Sequence, residues 1–251
     1  MNILITICGR AGSKGVKNKN IRKFYGYELI KYTIATAYIF KEKNPQADVD
    51  ICVNSDSEDL LNIVRNYDLQ CILRPIELGQ DSTPKVPVIQ FSLKYMEELK
   101  NKLYDYIIDL DITSPFRKDT DVQNALQKAI LSKADVVFSV VPSRRNPYFN
   151  MIENINGKCR KVINSNYTTR QQAPIVYDMN ASIYCYNRFS LLNILKTSPL
   201  DGVFDVVIMK DTAILDIDSE EDFELMEVLA SHFFKNEFSE LYSKVSIDSV
   251  N

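Results

Sequence analysis

A glycine-rich, basic segment near the N-terminus is the part of the sequence best suited to bind a charged ligand. Its glycines, Gly9, Gly12 and Gly15, stand at every third position, and no acidic residue occurs before Glu28. The basic residues around them are Arg10, Lys14, Lys17, Lys19, Arg22 and Lys23. Glycine-rich loops present backbone N–H groups, and these groups together with cations attract phosphate. The segment therefore predicts a phosphate-binding loop.

The spacing of this loop differs from two familiar nucleotide-binding motifs. The glycines do not follow G-x-G-x-x-G, and Lys14 precedes Gly15 rather than the serine or threonine of a P-loop. The alternative is a flexible surface loop with solvated lysines. The position directly after an apolar first strand, in a chain of net charge −3, favours phosphate binding.

Two Asp-x-Asp segments provide candidate metal ligands or a general base. Asp109 and Asp111 stand at the end of one predicted strand, and Asp216 and Asp218 stand at the end of another. Carboxylates in such places suit Mg²⁺ binding or proton transfer. We expect only one of Asp109 and Asp111, which stand two residues apart on an extended segment, to face the site. The alternatives are a loop-anchoring role for the first pair and helix N-capping by Asp218.

Arg170 is the candidate for binding a substrate carboxylate. It is followed by Gln171 and Gln172 in a polar segment, with Asp178 and Asn180 nearby. A guanidinium group matches a carboxylate bidentately, which lysine does not. The alternative is that Arg170 is simply solvated.

Composition limits the classes of chemistry that are available. The chain has 251 residues, 45% of them hydrophobic, and its pI near 5.4 argues against a nucleic-acid-binding surface. Neither a long apolar run nor a signal peptide is recognised, so a cytoplasmic protein without membrane contact is expected. The five cysteines form no C-x-x-C pair, and His232 is the only histidine. Carboxylates, lysines, arginines and a hard metal ion are therefore expected to do the chemistry.

Alternating strand and helix patterns predict an α/β fold with a mostly parallel sheet. Strands are predicted at 3–8, 50–54, 70–73, 106–110, 135–141, 181–186, 204–209 and 214–217, and helices at 29–40, 60–67, 88–103, 121–131 and from 219 onwards. One domain is expected over 1–235, followed by a frayed polar tail over 236–251. Segment 143–180 is polar and aperiodic, and we interpret it as a small inserted arm used for dimerisation, with a long irregular loop as the alternative.

Five segments, taken in chain order, resemble the motifs of one protein family. They are G-R-A-G-S-K-G-x-x-x-K-N from Gly9, L-R-P-x-E-L-x-x-D from Leu73, T-S-P-F-R from Thr113, R-Q-Q from Arg170 followed by Asn180, Ile183 and Tyr184, and D-I-D-S-E-E-D from Asp216. Together they are similar to the CMP-sialic acid synthetases, also called acylneuraminate cytidylyltransferases. The resemblance covers residues 3 to about 223.

The resemblance implies a fold, an assembly and a set of site residues. It implies a Rossmann-like nucleotidyltransferase core of three layers and a homodimer whose arm reaches the partner's site. The implied nucleotide-binding residues are Arg10, Gly12, Ser13, Lys14, Lys19, Asn20, Arg74, Asp81 and Ser82. The implied sugar-binding residues are Asp111, Thr113, Ser114, Arg170, Gln171, Asn180, Tyr184 and Phe204. Asp216 and Asp218 would hold Mg²⁺ (or Mn²⁺), and the catalytic residues would be Arg10, Lys19, Asp111, Asp216 and Asp218.

The implied reaction transfers CMP from CTP to a nine-carbon 2-keto-3-deoxy sugar acid. Two positions depart from the family pattern, since Asp111 replaces a common glutamine and Asp178-Met179 replaces arginine and proline. We take the added negative charge as an indication of a sugar other than N-acetylneuraminic acid, with legionaminic acid as the first choice. The alternatives are an Asp-x-Asp glycosyltransferase, a phosphatase using the Asp109 segment, and a non-catalytic sugar-nucleotide sensor.

Overall fold

A seven-stranded sheet forms the centre of the fold, and three of the five family-like segments begin at or just after the ends of its strands. The computed structural model describes residues 1–12, 15–210 and 216–248. The strands are β1 (Asn2–Gly9), β2 (Lys23–Phe24), β3 (Tyr27–Glu28), β4 (Asp48–Ser55), β5 (Gln70–Leu73), β6 (Tyr106–Leu110), β7 (Val136–Pro142), β8 (Ile152–Ile155), β9 (Lys158–Lys161), β10 (Tyr177–Asn187) and β11 (Phe204–Ile208). The helices are α1 (Leu29–Lys43), α2 (Glu58–Val64), α3 (Lys85–Lys100), α4 (Asp119–Ser132), α5 (Arg188–Asn193), α6 (Glu220–Phe233) and α7 (Ser239–Asp248).

The large sheet has the strand order β11-β7-β10-β6-β1-β4-β5. Its pairs are parallel except those of β10, which runs antiparallel to both β6 and β7. Side chains of β1 alternate between its two faces, so that Ile3, Ile5 and Ile7 pack with α1, α4, α6 and α7, while Leu4 packs with α3 and α5. Helices thus cover both faces of the sheet, which confirms the predicted three-layer, mostly parallel α/β fold.

The predicted strands of the large sheet agree with the structure to within two residues apart from β10, whereas some helix ends differ and the short elements β2, β3 and α5 have no predicted counterpart. Helix α3 begins at Lys85 rather than Val88. Strand β10 begins at Tyr177 rather than Ala181, and it contains an irregularity between Met179 and Tyr184. The predicted strand at 214–217 lies partly outside the described residues, and Asp216 and Ile217 do not belong to a strand. The candidate ligands Ser13 and Lys14 also lie outside the described residues.

The frayed tail predicted for 236–251 is wrong over most of its length. Helix α7 occupies Ser239–Asp248, and it buries Leu241 and Val245 in the same core cluster as α1. Lys244 also contacts Glu42 of α1 at 2.7 Å. The segment looked too polar to fold alone, but only one apolar stripe is needed when a neighbouring helix covers it.

Segment 143–180, predicted to be an inserted arm, lies mostly outside the large sheet, but its last four residues belong to β10. It contains the short antiparallel hairpin β8–β9 and a 3-10 turn at Arg170–Gln172. Most of its side chains are exposed. Its role in dimerisation stays a prediction. Among the described residues, no helix is long and apolar enough to cross a membrane, and the cytoplasmic location also stays a prediction.

Candidate active site

A polar cavity of about 230 Å³ lies beside the ends of β1, β5 and β6. Its walls are formed by Cys8, Arg10, Arg74, Leu78, Gln80, Asp81, Thr83, Lys85, Val88 and Asp111. Parallel strands point their carboxyl ends to one edge of a sheet, which is where α/β proteins bind ligands. The structure therefore brings together residues from three of the segments predicted to form the site.

The first loop is fixed at its base by neighbouring loops. The backbone N–H of Ala11 donates to Asp56 Oδ1 at 2.8 Å, and the Asn20 amide donates to the Arg10 carbonyl at 3.1 Å. The Arg10 guanidinium forms an ion pair with Asp81 in the second motif. Gly12 has a φ of 70°, which is the left-handed region that favours glycine. Ser82 is exposed beside Asp81.

Arg74 is buried, and its hydrogen bonds stabilise the start of the first loop. Its Nε donates to Asn54 Oδ1 at 2.7 Å, and one terminal nitrogen donates to the carbonyls of Asn54 and Gly9 at 3.0 and 3.3 Å. These bonds tie the end of β1 to the end of β4. Arg74 therefore stabilises the wall of the cavity through these hydrogen bonds, and it is also one of the residues that line the cavity.

Lys19 joins the basic loop to the late acidic segment. Its Nζ contacts the Ile217 carbonyl and lies 3.3 Å from Asp218 Oδ1. The backbones also meet, because a Cβ atom at Gly15 would lie 1.8 Å from the Asp218 carbonyl oxygen. The fold therefore places the predicted phosphate-binding loop directly against the predicted metal ligands.

Asp216 carries the clearest sign of a missing partner among the described residues. Burial raises the pKa of the Asp216 carboxyl to about 6, although a hydrogen bond with Thr113 acts to lower it. Its Oδ1 is buried and accepts no hydrogen bond from the part of the chain that the structure describes. The Asp218 side chain, by contrast, is 79% exposed.

These two carboxylates fit a divalent cation that takes its other ligands from outside the protein. The described residues hold no cluster of three or more histidine, cysteine, aspartate or glutamate side chains for a metal. Mg²⁺ commonly binds through one or two carboxylates together with substrate phosphates and waters. An orphaned carboxylate oxygen next to a basic loop suits that arrangement.

The capping alternative for Asp218 is wrong. Ser219 is the N-cap of α6, because its hydroxyl accepts from the N–H of Asp222 at 3.1 Å. The Asp222 carboxylate in turn accepts from the N–H of Ser219 at 2.8 Å. This reciprocal pair caps the helix and leaves Asp218 outside it.

The predicted opposite orientation of Asp109 and Asp111 is also wrong. Lys85 Nζ lies 2.6 Å from an oxygen of each carboxylate. Side chains two residues apart on an extended segment lie on the same face, so the alternation along the strand brings these two carboxylates together rather than separating them. The two acids therefore meet on one cation instead of facing apart.

A comparison with known families decides the class of this chain. The family model described as "Cytidylyltransferase" matches residues 4–238. The chain belongs to the cytidylyltransferase family. The resemblance stated from the sequence motifs is thereby confirmed, and this cytidylyltransferase is an enzyme of the nucleotidyltransferase class.

A named relative agrees with this membership, and a solved structure shares the fold. The cytidylyltransferase is 41% identical over 229 residues to "Post-translational flagellin modification protein B" of Campylobacter coli, covering 90% of this chain and 94% of that protein. It is 39% identical over 234 residues to "CMP-N,N'-diacetyllegionaminic acid synthase" of Campylobacter jejuni, covering 91% and 95%. A structure of CMP:2-keto-3-deoxy-manno-octonic acid synthetase complexed with CTP superimposes with a TM-score of 0.66 at 15% identity, covering 92% of this chain and 99% of that one.

The residues expected to bind the sugar are not all at the cavity of the cytidylyltransferase. Asn180 is buried, where its Oδ1 accepts from the Ser139 hydroxyl at 2.6 Å. Phe204 is half exposed on β11 and packs on Phe138.

Arg170 and Gln171 are exposed on the arm, and the Arg170 guanidinium donates to the Arg144 carbonyl. Among the described cavity-lining residues, Asp111 is the one that belongs to the predicted sugar set.

The turn after β6 is held by an arginine whose role the sequence analysis missed. Arg117 is fully buried and donates to the carbonyls of Ser182 and Asp111 at 2.7 and 3.2 Å. Burial lowers its pKa to about 10, which leaves it charged at neutral pH. Ser114 is buried beside it, and the Thr113 carbonyl accepts from the N–H of Ile217 at 3.2 Å. This turn therefore orients Asp111 and supports Asp216.

Proposed function

We propose that this cytidylyltransferase transfers CMP from CTP to the anomeric hydroxyl of a nine-carbon 2-keto-3-deoxy sugar acid. The hydroxyl oxygen bonds to the α-phosphorus, the bond from that phosphorus to the β-phosphate oxygen breaks, and pyrophosphate and a proton leave. The observation that carries the proposal is the contact of Lys19 with the Ile217–Asp218 segment. A cation and two carboxylates at one point suit a triphosphate and its metal ion.

In this proposal the protein contributes mainly positioning and charge. Arg10 and Lys19 would bind the phosphates and offset the charge that builds on the leaving pyrophosphate. Asp216 and Asp218 would hold Mg²⁺ (or Mn²⁺), which when bound neutralises phosphate charge and makes the attacking hydroxyl more acidic. The orphaned Oδ1 of Asp216 supports this assignment.

A legionaminic-type acid is the proposed sugar substrate. The relative with 39% identity carries a name that specifies N,N'-diacetyllegionaminic acid, and this supports the choice. Lys85 balances the charge of Asp111 within the protein, so the negative charge of Asp111 alone does not favour one sugar acid over another.

The test is pyrophosphate release with a panel of sialic, legionaminic, pseudaminic and octulosonic acids and each nucleoside triphosphate. We expect release with CTP and a nonulosonic acid, and the highest kcat/KM with a legionaminic acid. Release that needs no sugar acid, or consumption of a finished nucleotide sugar, contradicts the proposal. The latter result would support the glycosyltransferase alternative.

Arg170 is expected to recognise the carboxylate of the sugar acid. Arg170→Lys keeps the charge but loses the bidentate geometry, so the KM for the sugar acid should rise about tenfold while the KM for CTP stays nearly unchanged. Steady-state kinetics with each substrate varied in turn measures both values. Arg160→Lys, on the same arm and paired with Glu153 at 2.6 Å, is the matched control and should change neither KM. An unchanged sugar KM for Arg170→Lys would remove this role.

A homodimer is the expected assembly. The arm exposes large apolar side chains, among them Ile152 and Ile175 at 71% and 79% exposure, and such a surface is typical of a contact with another protein. Light scattering should give twice the 28.8 kDa mass of one chain. Ile152→Asp combined with Ile175→Asp should shift the protein toward the single-chain mass. Wild-type protein at the single-chain mass at assay concentration would reject the dimer.

A further inference from the structure

Lys85 lies at the cavity wall between two aspartates, and it has no role in the reaction proposed above. Its Nζ donates to Asp111 Oδ2 at 2.6 Å and lies 2.6 Å from Asp109 Oδ2. The ring centre of Tyr184 is 5.6 Å from the same nitrogen. Although burial acts to lower it, the two carboxylates hold the pKa of Lys85 well above its usual value. Lys85 is therefore a fixed cation with two acidic partners.

The position of Lys85 at the N-terminus of a helix is electrostatically unfavourable for a cation. It is the first residue of α3, and the first turn of that helix contains no acidic residue. A helix N-terminus carries partial positive charge, so a cation there is unfavourable unless acids elsewhere balance it. Asp109 of strand β6 and Asp111, directly after that strand, provide the balance. The sequence position alone gives no structural reason for a lysine here.

The two acidic partners of Lys85 differ in what else they can contact. Asp109 is fully buried, and its Oδ1 accepts from the Thr6 hydroxyl of β1 at 2.7 Å. The Asp111 side chain is 22% exposed, and Asp111 lines the cavity together with Lys85. Asp109 therefore anchors Lys85 to the two central strands, and Lys85 in turn presents Asp111 to the cavity.

We propose that Lys85 is a positioning residue, anchored on Asp109, that holds the Asp111 carboxylate as a hydrogen-bond acceptor for the sugar acid. The group recognised would be a donor of the substrate, either a hydroxyl or an acylamino N–H. Lys85 also offsets the repulsion between Asp111 and an anionic substrate. This inference rests on the proposed function and adds to it the means by which the acceptor is fixed.

The test compares two lysines that each contact two aspartates and one tyrosine ring, at different places in the fold. Lys102 lies 2.6 and 2.7 Å from the carboxylates of Asp48 and Asp50, and 5.2 Å from the ring centre of Tyr104, but it does not line the cavity. Lys85→Met should raise the KM for the sugar acid about 10- to 100-fold, the loss that follows removal of a charged hydrogen bond, with the KM for CTP within about twofold. Lys102→Met should change the melting temperature alone. The charge-retaining variant Lys85→Arg should keep the sugar KM within a few-fold of wild type.

A double variant separates positioning from direct binding. If Lys85 acts through Asp111, the variant with Lys85→Met and Asp111→Asn should have a sugar KM no higher than Asp111→Asn alone. Multiplied effects in the double variant, or a rise in the KM for CTP instead, would overturn the inference. Lys85→Met leaves Asp109 buried without a cation, so where it does not fold, Lys85→Met with Asp109→Asn takes its place.

Failure of the proposed function is recognised separately. Wild-type protein that turns over no sugar acid with CTP rejects the proposed function, and with it the substrate-binding half of the inference. The coupling of Lys85 to Asp111 is then measured by thermal unfolding of the same single and double variants. Non-additive losses in melting temperature support the positioning role, and additive losses reject it whatever the substrate.

Discussion

Asp216→Asn is expected to reduce kcat by on the order of 1000-fold, because it removes one ligand of the proposed metal ion and several kcal/mol of charge stabilisation with it. Asparagine keeps the size of the side chain but carries no charge. The wild-type carboxylate is buried with one oxygen unpaired in the described part of the chain. Removal of a buried charge should therefore leave the melting temperature unchanged or raise it. Initial rates of pyrophosphate release at saturating Mg²⁺, together with a melting curve, measure both effects.

Asp222→Asn is the matched control for this prediction. Asp222 forms the reciprocal cap with Ser219 a few residues along the same segment. Its replacement should lower the free energy of unfolding by about 1 kcal/mol and leave kcat close to wild type. An Asp216→Asn variant with normal kcat and normal metal dependence would contradict the assignment of the metal ligands. Asp218→Asn should reduce kcat by a similar factor to Asp216→Asn.

Lys19→Met is expected to lower kcat/KM for CTP by roughly 10- to 100-fold, the effect of removing one charged hydrogen bond of about 1.5–3 kcal/mol. Lys19 is the cation that contacts both the Ile217 carbonyl and Asp218, so its loss also removes the link between the two halves of the site. Arg10→Ala should have an effect of similar size, since Arg10 is the cation of the first loop that lines the cavity in the described part of the chain.

Lys17→Met provides the comparison within the same loop. Lys17 is exposed, whereas Lys19 contacts the Ile217–Asp218 segment, so replacement of Lys17 should change kcat/KM for CTP less than about twofold. Titration of CTP binding by calorimetry adds a measurement that does not depend on the sugar acid. Equal effects of Lys17→Met and Lys19→Met would show that only the total charge of the loop matters.

The sheet and most of its helices could be predicted because their signals are local. The apolar run of β1 and the alternation of strands and helices are visible within short windows of sequence. The same holds for the N-cap at Ser219, whose partner lies three residues away. Helix α7 was missed because its stripe of Leu241 and Val245 is short, and it is stabilised by packing beside α1 at the other end of the chain.

The interactions inside the site could not be predicted because they join distant parts of the chain. The contact of Lys85 with Asp109 and Asp111 joins the start of α3 to the end of β6, and the sequence pattern starts that helix at Val88, which leaves Lys85 in the preceding loop. Arg117 donates to the carbonyl of Ser182 in strand β10, and these two residues are 65 positions apart in the sequence. A short window of sequence therefore cannot show the contact. The types of residue were enough to identify the candidate site residues. The residues that each of them contacts could be identified only from the folded structure.

The backbone contact between Gly15 and Asp218 has a consequence for recombining related enzymes. A chimera with a crossover between residues 20 and 215 takes the first loop from one parent and the acidic segment from the other. Since a Cβ atom at residue 15 would lie 1.8 Å from the Asp218 carbonyl oxygen, small differences in either parental loop would move Lys19 relative to Ile217. Such hybrids are expected to fold and yet turn over slowly. Exchange of substrate preference between relatives is therefore better attempted by grafting internal segments, so that both terminal regions come from a single parent.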